Sequence, residues 1–408
     1  MEYTYDPDWL SDPDALPLSL SLPLQTKTYS GSIVENYFDN LLPDNIAIRG
    51  RIASITQAKS EHVFDLLSTT GADCVGALQL LPEARRPDIK KIKSQTISPA
   101  KIADRLRNLR INPLGMQANE DFRISLAGVQ TKTAFLKLKN KWHIPLGFTP
   151  TSHIFKQQIE TDFNQFMGAD LTLTVENEYL CHLIFKAFEI PIANCSISDF
   201  EDQRVLVVKR FDRSWKENGL WLARVPQEDF CQVYGISSNR KYENEGGPGI
   251  KAIMDILASS AKSYSDQLIF IKTQILFWFL LAIDGHAKNF SIFHLKGGRF
   301  CLTPVYDVLS AWPLETGNFH RQKLKMAMAV IGKNRHYNWH QISSRHWLST
   351  ASFCGINPAD VSTFIELICD TLDKVIDAIQ TKLPPDFPDR VATTIFEGMR
   401  FTRNKAKK

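Results

Sequence analysis

Apolar and polar positions alternate in two rhythms along this chain, and the change of rhythm divides it. Near the start, PLSLSLPL over 17–24 alternates with period two, which predicts a half-buried strand closed by proline. Residues 33–42 (IVENYFDNLL) carry apolar side chains at helical spacing. Between about 122 and 213, strand-like pieces at 133–139, 153–156 and 204–209 surround one helix over 177–188. Leu180, Leu183, Ile184 and Phe188 share its apolar face. After Pro226 the helical period dominates, through Ile250, Ile253, Met254, Ile256 and Leu257, then over 268–283 and 361–383. The basic, proline-broken stretch 85–93 (RRPDIKKIK) reads as a solvated linker. The pattern predicts a β-rich N-terminal appendage, an α/β half and a helical half.

Composition narrows this picture. With 408 residues, 44% hydrophobic and 23% charged, the chain is globular, large enough for two or three domains, and not disordered. Its net charge, 48 − 44 = +4, excludes nucleic-acid binding by bulk electrostatics and leaves only a local patch open. The longest apolar run, QILFWFLLAI over 274–283, is about half of a membrane span, so it reads as a buried core helix with no membrane partner. Seven cysteines without C-x-x-C spacing read as reduced core thiols. The opening residues lack a basic and an apolar segment, which predicts no secretory signal and a cytoplasmic location.

Directly after the apolar run stands Asp284-Gly-His-Ala-Lys-Asn289. Phosphoryl transfer uses such a kit: an Asp to accept the hydroxyl proton and an Asn a few residues on to hold Mg²⁺. The alternative is a helix end closed by a polar turn, with Asn289 as a cap. Asp307 follows two short strands joined at Gly297-Gly298, and a hairpin there would return it to the region of Asp284, as a two-carboxylate metal site requires. Residues 125–133 (SLAGVQTKT) precede a strand with one glycine, hydroxyls and a lysine that can grip phosphate oxygens, though an ordinary hairpin turn fits as well. Lys156 ends the next strand, with Glu176 and Glu178 as candidate partners on the following helix. Glu245-Gly-Gly-Pro-Gly249 is richer in glycine, but no strand leads into it and Pro248 removes a donor, so it reads as a turn into a helix. His336, His340 and His346 show no metal spacing and read as structural.

Together these segments resemble the HipA family of bacterial serine/threonine kinase toxins. The blocks YDPDWL, NYFDNLLPDN, FDLLSTTGADCVGAL, RISLAGVQTKTAFL, VENEYLCHLIFKAF, VVKRFDRSW, VPQEDFCQ, KYENEGGPGI, DGHAKNFSIF and LTPVYDVLS carry the likeness in order. The resemblance implies an α+β, two-lobed fold related to protein and phosphoinositide kinases. It places a small β-rich subdomain over 1–95 (without the family's first strand pair), an α/β lobe over 96–225 and an all-α lobe over 226–408. It implies Asp284 as general base, Asn289 and Asp307 as Mg²⁺ ligands, and Lys156 on the phosphates of ATP. Ala127, Gly128, Val129, Gln130, Thr131 and Lys132 would form the phosphate loop. Lys209, Arg210 and Phe211 would form the adenine hinge, with His286, Ala287, Lys288 and Tyr306 beside the nucleotide. Ser125 matches the family's autophosphorylated serine.

The expected activity is therefore ATP- and Mg²⁺-dependent phosphorylation of a protein, by resemblance an aminoacyl-tRNA synthetase. This would inhibit translation and promote growth arrest or persistence. The expected partner is a HipB-like helix-turn-helix antitoxin, through which operator DNA would be reached. Two rivals stay open: a catalytically idle corepressor acting with that antitoxin, and a kinase of small molecules with the same geometry.

Overall fold

A computed structural model of the protein describes residues 1–81, 87–117, 120–128, 130–159, 172–314 and 321–408. The chain passes repeatedly between two compact units. Unit 1 comprises Met1–Gln157, Asn194–Asn239 and Ser291–Phe300; unit 2 comprises Gln158–Ala193, Arg240–Phe290 and Cys301–Lys408.

Unit 1 is built on a six-stranded antiparallel sheet. Its strands are β1 (Ser94–Thr96), β2 (Lys132–Leu138), β3 (Lys141–Pro145), β4 (His153–Lys156), β5 (Cys195–Phe200) and β6 (Gln203–Lys209), in the order β1-β3-β2-β4-β6-β5. Strand β2 is buried on both faces over its first five residues, where Ala134, Phe135 and Leu136 follow one another. Phe135 and Phe155 meet Ile102, Ala103 and Leu106 in one cluster. These three residues belong to helix α4 (Pro99–Arg107), started by a Ser98 cap and a proline in its first turn. Ala134 instead joins a second cluster with helices α1 (Ser32–Asp39), α2 (Ile46–Thr56) and α3 (Val63–Thr70). A further ladder pairs β7 (Gln227–Asp229) with β8 (Ser291–Leu295).

Two expectations for this region are corrected. The N-terminal region is helical rather than β-rich: its strands are the pairs Glu2–Tyr3 and Tyr29–Ser30 and the short β1. The periodic segment 17–24 forms a single Ser19–Leu22 bridge instead of a strand. The reason is a side chain. Buried Glu228 accepts hydrogen bonds from the Ser19 hydroxyl and, at 2.8 Å, from the Leu20 amide, so the backbone needs no ladder partner there. Of the expected linker, residues 85 and 86 lie outside the described residues.

Unit 2 is mainly helical: α5 (Thr174–Ala187), α6 (Ile250–Leu257), α7 (Ser263–Leu280), α8 (Ser344–Phe353), α9 (Pro358–Gln380) and α10 (Asp389–Ala406). The apolar run is the buried C-terminal half of α7, stopped by Leu281 in a left-handed conformation. Trp339 and Trp312 donate to the carbonyls of Trp278 and Phe279 near its end, which satisfies both indoles in the core. Helix α9 buries Val361, Phe364, Ile365, Ile368, Leu372, Ile376 and Ile379 at the spacing its sequence shows. The reading of 226–408 as all-α leaves out β7, the strands Ser291–Leu295 and Arg299–Leu302, and a hairpin of β10 (Lys325–Ile331) with β11 (Arg335–Asn338). His346 is structural as expected: its Nδ1 accepts from the Ser343 amide at the start of α8. Among the described residues no helix is long and apolar enough to cross a membrane. Among the described residues none of the seven cysteines forms a disulfide, and all but Cys195 are buried.

Candidate active site

In unit 2 the segment after α7 folds back on itself. The His286 amide donates to the Asp284 carbonyl (2.8 Å) and the Asn289 amide to the His286 carbonyl (2.9 Å). The chain then enters β8, turns at Gly297 and Gly298, both left-handed, and returns through β9 (Arg299–Leu302), the hairpin its glycines predict. This return brings Asp307 to the loop. The Asn289 side-chain nitrogen donates to the Asp284 carbonyl at 3.2 Å and to the Asp307 carbonyl at 3.3 Å. One amide therefore joins the two acidic segments. With both of its hydrogens used, its carbonyl oxygen is the end left to act as a ligand.

Asp307 itself has φ 61°, a left-handed conformation unusual outside glycine, at the position where the chain must turn out of the loop. Beyond it, Ser310 exchanges two hydrogen bonds with the Asn177 side chain of α5 (2.8 and 2.9 Å) and donates from its hydroxyl to the Leu280 carbonyl (2.6 Å). Tyr306 donates to the Lys288 carbonyl at 2.8 Å. Ala287, Lys288 and Asn289 are buried. Asp284 projects outward, 62% exposed, while the His286 ring is buried and its Nδ1 meets no hydrogen-bond partner among the described residues. Burial holds the His286 imidazole below its ordinary pKa, against the opposing pull of Asp284.

In unit 1 the other predicted residues gather around β2 and β4. Lys132 and Lys156 are both buried and lie directly opposite each other in the ladder, so two ammonium side chains share one sheet face. Such a pair concentrates positive potential suited to an anion. Lys132 donates to the Ala127 carbonyl (2.6 Å), Gln130 to the Gln157 carbonyl (2.6 Å), and Gly128 bridges to Pro43. The Gln157 amide donates to the Thr131 carbonyl (3.1 Å). Val129 lies outside the described residues. Ser125 is not the exposed hydroxyl at a strand start that its position suggests. It is buried ahead of β2, its amide on the Asp73 carbonyl and its hydroxyl on the Leu41 carbonyl (2.7 Å).

The predicted hinge shows a different economy. Lys209 ends β6, and Phe211 packs edge-on against Phe293. The Arg210 side chain, however, is committed to a buried ionic cluster with Asp73, Asp212, Arg213 and Arg224. The Arg210 amide is engaged too, donating to the Ser152 carbonyl (3.0 Å), as the Lys209 amide does to the Asn194 carbonyl (2.8 Å). Glu176 and Glu178 are buried in the first turns of α5, where Gln158 donates to Glu176 at 2.8 Å. Two residues that sequence reasoning passed over also belong here: Tyr242 donates to the Asp284 carboxylate, and the Lys241 carbonyl accepts from the Ala287 amide (3.1 Å). The signal for them was the KYENEGGPGI block.

Residues 124–376 match the HipA-like C-terminal domain and residues 1–81 the HipA N-terminal domain. The chain belongs to the HipA family. Y4mE of Sinorhizobium fredii, a kinase by designation, is 33% identical over 313 residues, which is 76% of this chain and 71% of the relative. The serine/threonine-protein kinase toxin HipA of Shewanella oneidensis is 26% identical over 339 residues, covering 80% and 72% of the two chains. A chain from the Shewanella oneidensis MR-1 HipA, HipB and operator DNA complex aligns over 100% of this chain and 92% of its own length. Its TM-score is 0.81 at 20% identity, a shared fold.

Mg²⁺ takes oxygen ligands from one or two side chains and completes its shell with water and phosphate oxygens. The Asn289 side-chain carbonyl oxygen, whose amide hydrogens are both used, and the Asp307 carboxylate would offer oxygens of this kind.

Proposed function

We propose that this chain is the kinase toxin of a HipA-type toxin–antitoxin module, transferring the γ-phosphoryl group of ATP to a serine or threonine hydroxyl of another protein. The observation that carries this reading is the Asn289 amide, which holds the Asp284 and Asp307 segments together at the mouth of a buried loop. In the reaction Asp284 accepts the hydroxyl proton as the oxygen–phosphorus bond forms. The bond from the γ-phosphorus to its bridging oxygen breaks, and ADP leaves with that oxygen. Bound Mg²⁺, held by Asn289 and Asp307, would offset the charge of the phosphates. Lys156, Lys132 and the 127–132 loop bind and orient the triphosphate, and the 209–211 hinge lies beside adenine.

Family resemblance supplies the finer assignments: an aminoacyl-tRNA synthetase as target, a HipB-like antitoxin as partner with operator DNA reached through it, the bacterial cytoplasm as location, and Ser125 as the self-modified residue. Buried Ser125 lends the last a physical cost. A phosphate of about −1.5 to −2 charges cannot keep the hydrogen bond that the hydroxyl donates to the Leu41 carbonyl, so the loop must leave its seat.

Incubation with labelled ATP and Mg²⁺ tests the reading. Wild type takes up label and gains about 80 Da per phosphate in intact mass, while Asp284→Asn and Asp307→Asn do not. Equal labelling of all three removes the site assignment. Silence in wild type together with operator binding alongside the antitoxin favours the idle corepressor. Label found only on small molecules favours the third class.

A further inference from the structure

The glycine-rich turn after Tyr242 has no place in the phosphate chemistry above, yet unit 2 builds it with care. Two amides, Glu245 and Gly247, converge on the Tyr242 carbonyl at 3.0 and 2.9 Å. The Glu243 carboxylate accepts from the Ala329 amide of β10 (2.6 Å) and faces Arg335 of β11 at 3.6 Å. It also lies against Gly249, the residue that starts α6. A Cβ there would stand 2.2 Å from the carboxyl carbon, so no larger residue fits without moving Glu243. The turn is thus anchored on both flanks, to a hairpin and to a helix.

Three contacts run from this anchored segment to the loop carrying Asp284. The Lys241 carbonyl accepts the Ala287 amide (3.1 Å). The Tyr242 ring stands edge-on to the His286 ring, centroids 5.0 Å apart. The Tyr242 hydroxyl donates to Oδ1 of Asp284, the oxygen 4.0 Å from His286 Nε2. An exposed aspartate samples several rotamers, and a donor fixed to a rigid turn selects one of them. With Oδ1 engaged, Oδ2 meets no donor among the described residues and is the oxygen available to a proton.

We infer that Tyr242 is a positioning residue: it clamps the 284–289 loop and presents Oδ2 of Asp284 to the substrate hydroxyl. The role rests on Asp284 acting as the general base, as proposed above. Misplacement of a base by about 1 Å costs on the order of 100-fold in rate, so Tyr242→Phe, which keeps the ring against His286 and removes only the donor, should lower kcat about 10- to 100-fold. The KM for ATP and the thermal midpoint should not move, a split that a merely structural residue does not produce. In the same ligand-free protein, amide exchange of a peptide spanning 284–290 should quicken in Tyr242→Phe while peptides of α9 stay as in wild type.

Wild-type kcat in Tyr242→Phe overturns the inference, as does a rise in KM for ATP at constant kcat. If wild type transfers no phosphate at all, the kinase reading fails by itself. The exchange comparison then still decides the clamp: faster exchange in 284–290 upholds it and unchanged exchange removes it.

Discussion

Two places in this molecule concentrate charge, and they use it in opposite ways. In unit 1, two carboxylates are shared among three guanidinium groups, with every one of the five side chains at most 7% exposed. Asp73 accepts from Thr151, Arg213 and Arg224; Asp212 accepts from Arg210, Arg213 and the Gly76 amide. In unit 2, among the described residues, Asp284 is largely exposed with a single hydrogen-bond donor on one oxygen, and its neighbour His286 has a ring nitrogen that meets no partner. The first set is consumed internally and staples the loop after α3 to the end of β6. The second is oriented by the Tyr242 donor and keeps its carboxylate toward solvent. Charge density alone therefore does not mark a reactive site; what marks it is a charged group held in place with a face left unsatisfied.

The contrast predicts different failures. Asp284→Asn should reduce phosphate transfer by about 10²- to 10⁴-fold with an unchanged thermal midpoint, measured side by side on the same preparation. Asp73→Ala should do the reverse. It strands Arg210, Arg213 and Arg224 in the interior, and loss of one partner of a buried ionic set costs about 3–5 kcal/mol, readable as a lowered denaturant midpoint. A stable Asp73→Ala protein would mean that the cluster is decorative and the comparison fails.

A smaller effect tests how closely the reactive loop is fitted to its support. At Gly285 an added Cβ would stand 2.3 Å from the Phe277 ring, itself fixed in α7. Gly285→Ala should cost about 1–3 kcal/mol by overpacking and lower transfer together with stability, which chemical denaturation and a rate assay would report jointly.

The mildest test is pH. Burial raises the Asp73 carboxyl, but Arg213, Arg210 and Arg224 outweigh it, and the group sits far below the usual carboxylate range. Its contribution is present above pH ~3.9, the unfolded value, and is lost only in stronger acid. Burial also pulls His153 and His182 down from 6.5 to about 4. Both imidazoles take up a proton in the unfolded chain before they do in the fold, so stability should fall as pH drops from 6.5 toward 4 and hold steady above that window. Thermal midpoints across that range, with His153→Gln flattening the slope, check the assignment. If the slope persists unaltered in a variant lacking both histidines, the ionic cluster has been credited with too much acid resistance.

Much of the candidate site in unit 2 was legible in sequence because it is local. Asp284 and Asn289 sit on one short loop, and the glycine pair at 297–298 announces the hairpin that returns Asp307. The strands carrying Lys132 and Lys156 were legible for a similar reason, since β2 and β4 show their character in their own residues. The ionic cluster was not. Asp73 and Arg210 are 137 positions apart, and no periodicity pairs charges over that distance. The resemblance placed Arg210 in a nucleotide hinge, and nothing in the neighbouring sequence announced the cluster. The segment 17–24 misled, because its alternation promised a ladder and the partner proved to be the side chain of Glu228.

The amino-acid order by itself determined the helices of unit 2, the core strands of unit 1, the hairpin and the chemical kit of the loop, because hydrophobic period, caps and glycine turns act over a few residues. Tertiary structure decided which charges are neutralised and which stay available, and it set Tyr242 on Asp284. Compensation of a charge depends on which distant segments meet around it, and only the folded chain brings them together.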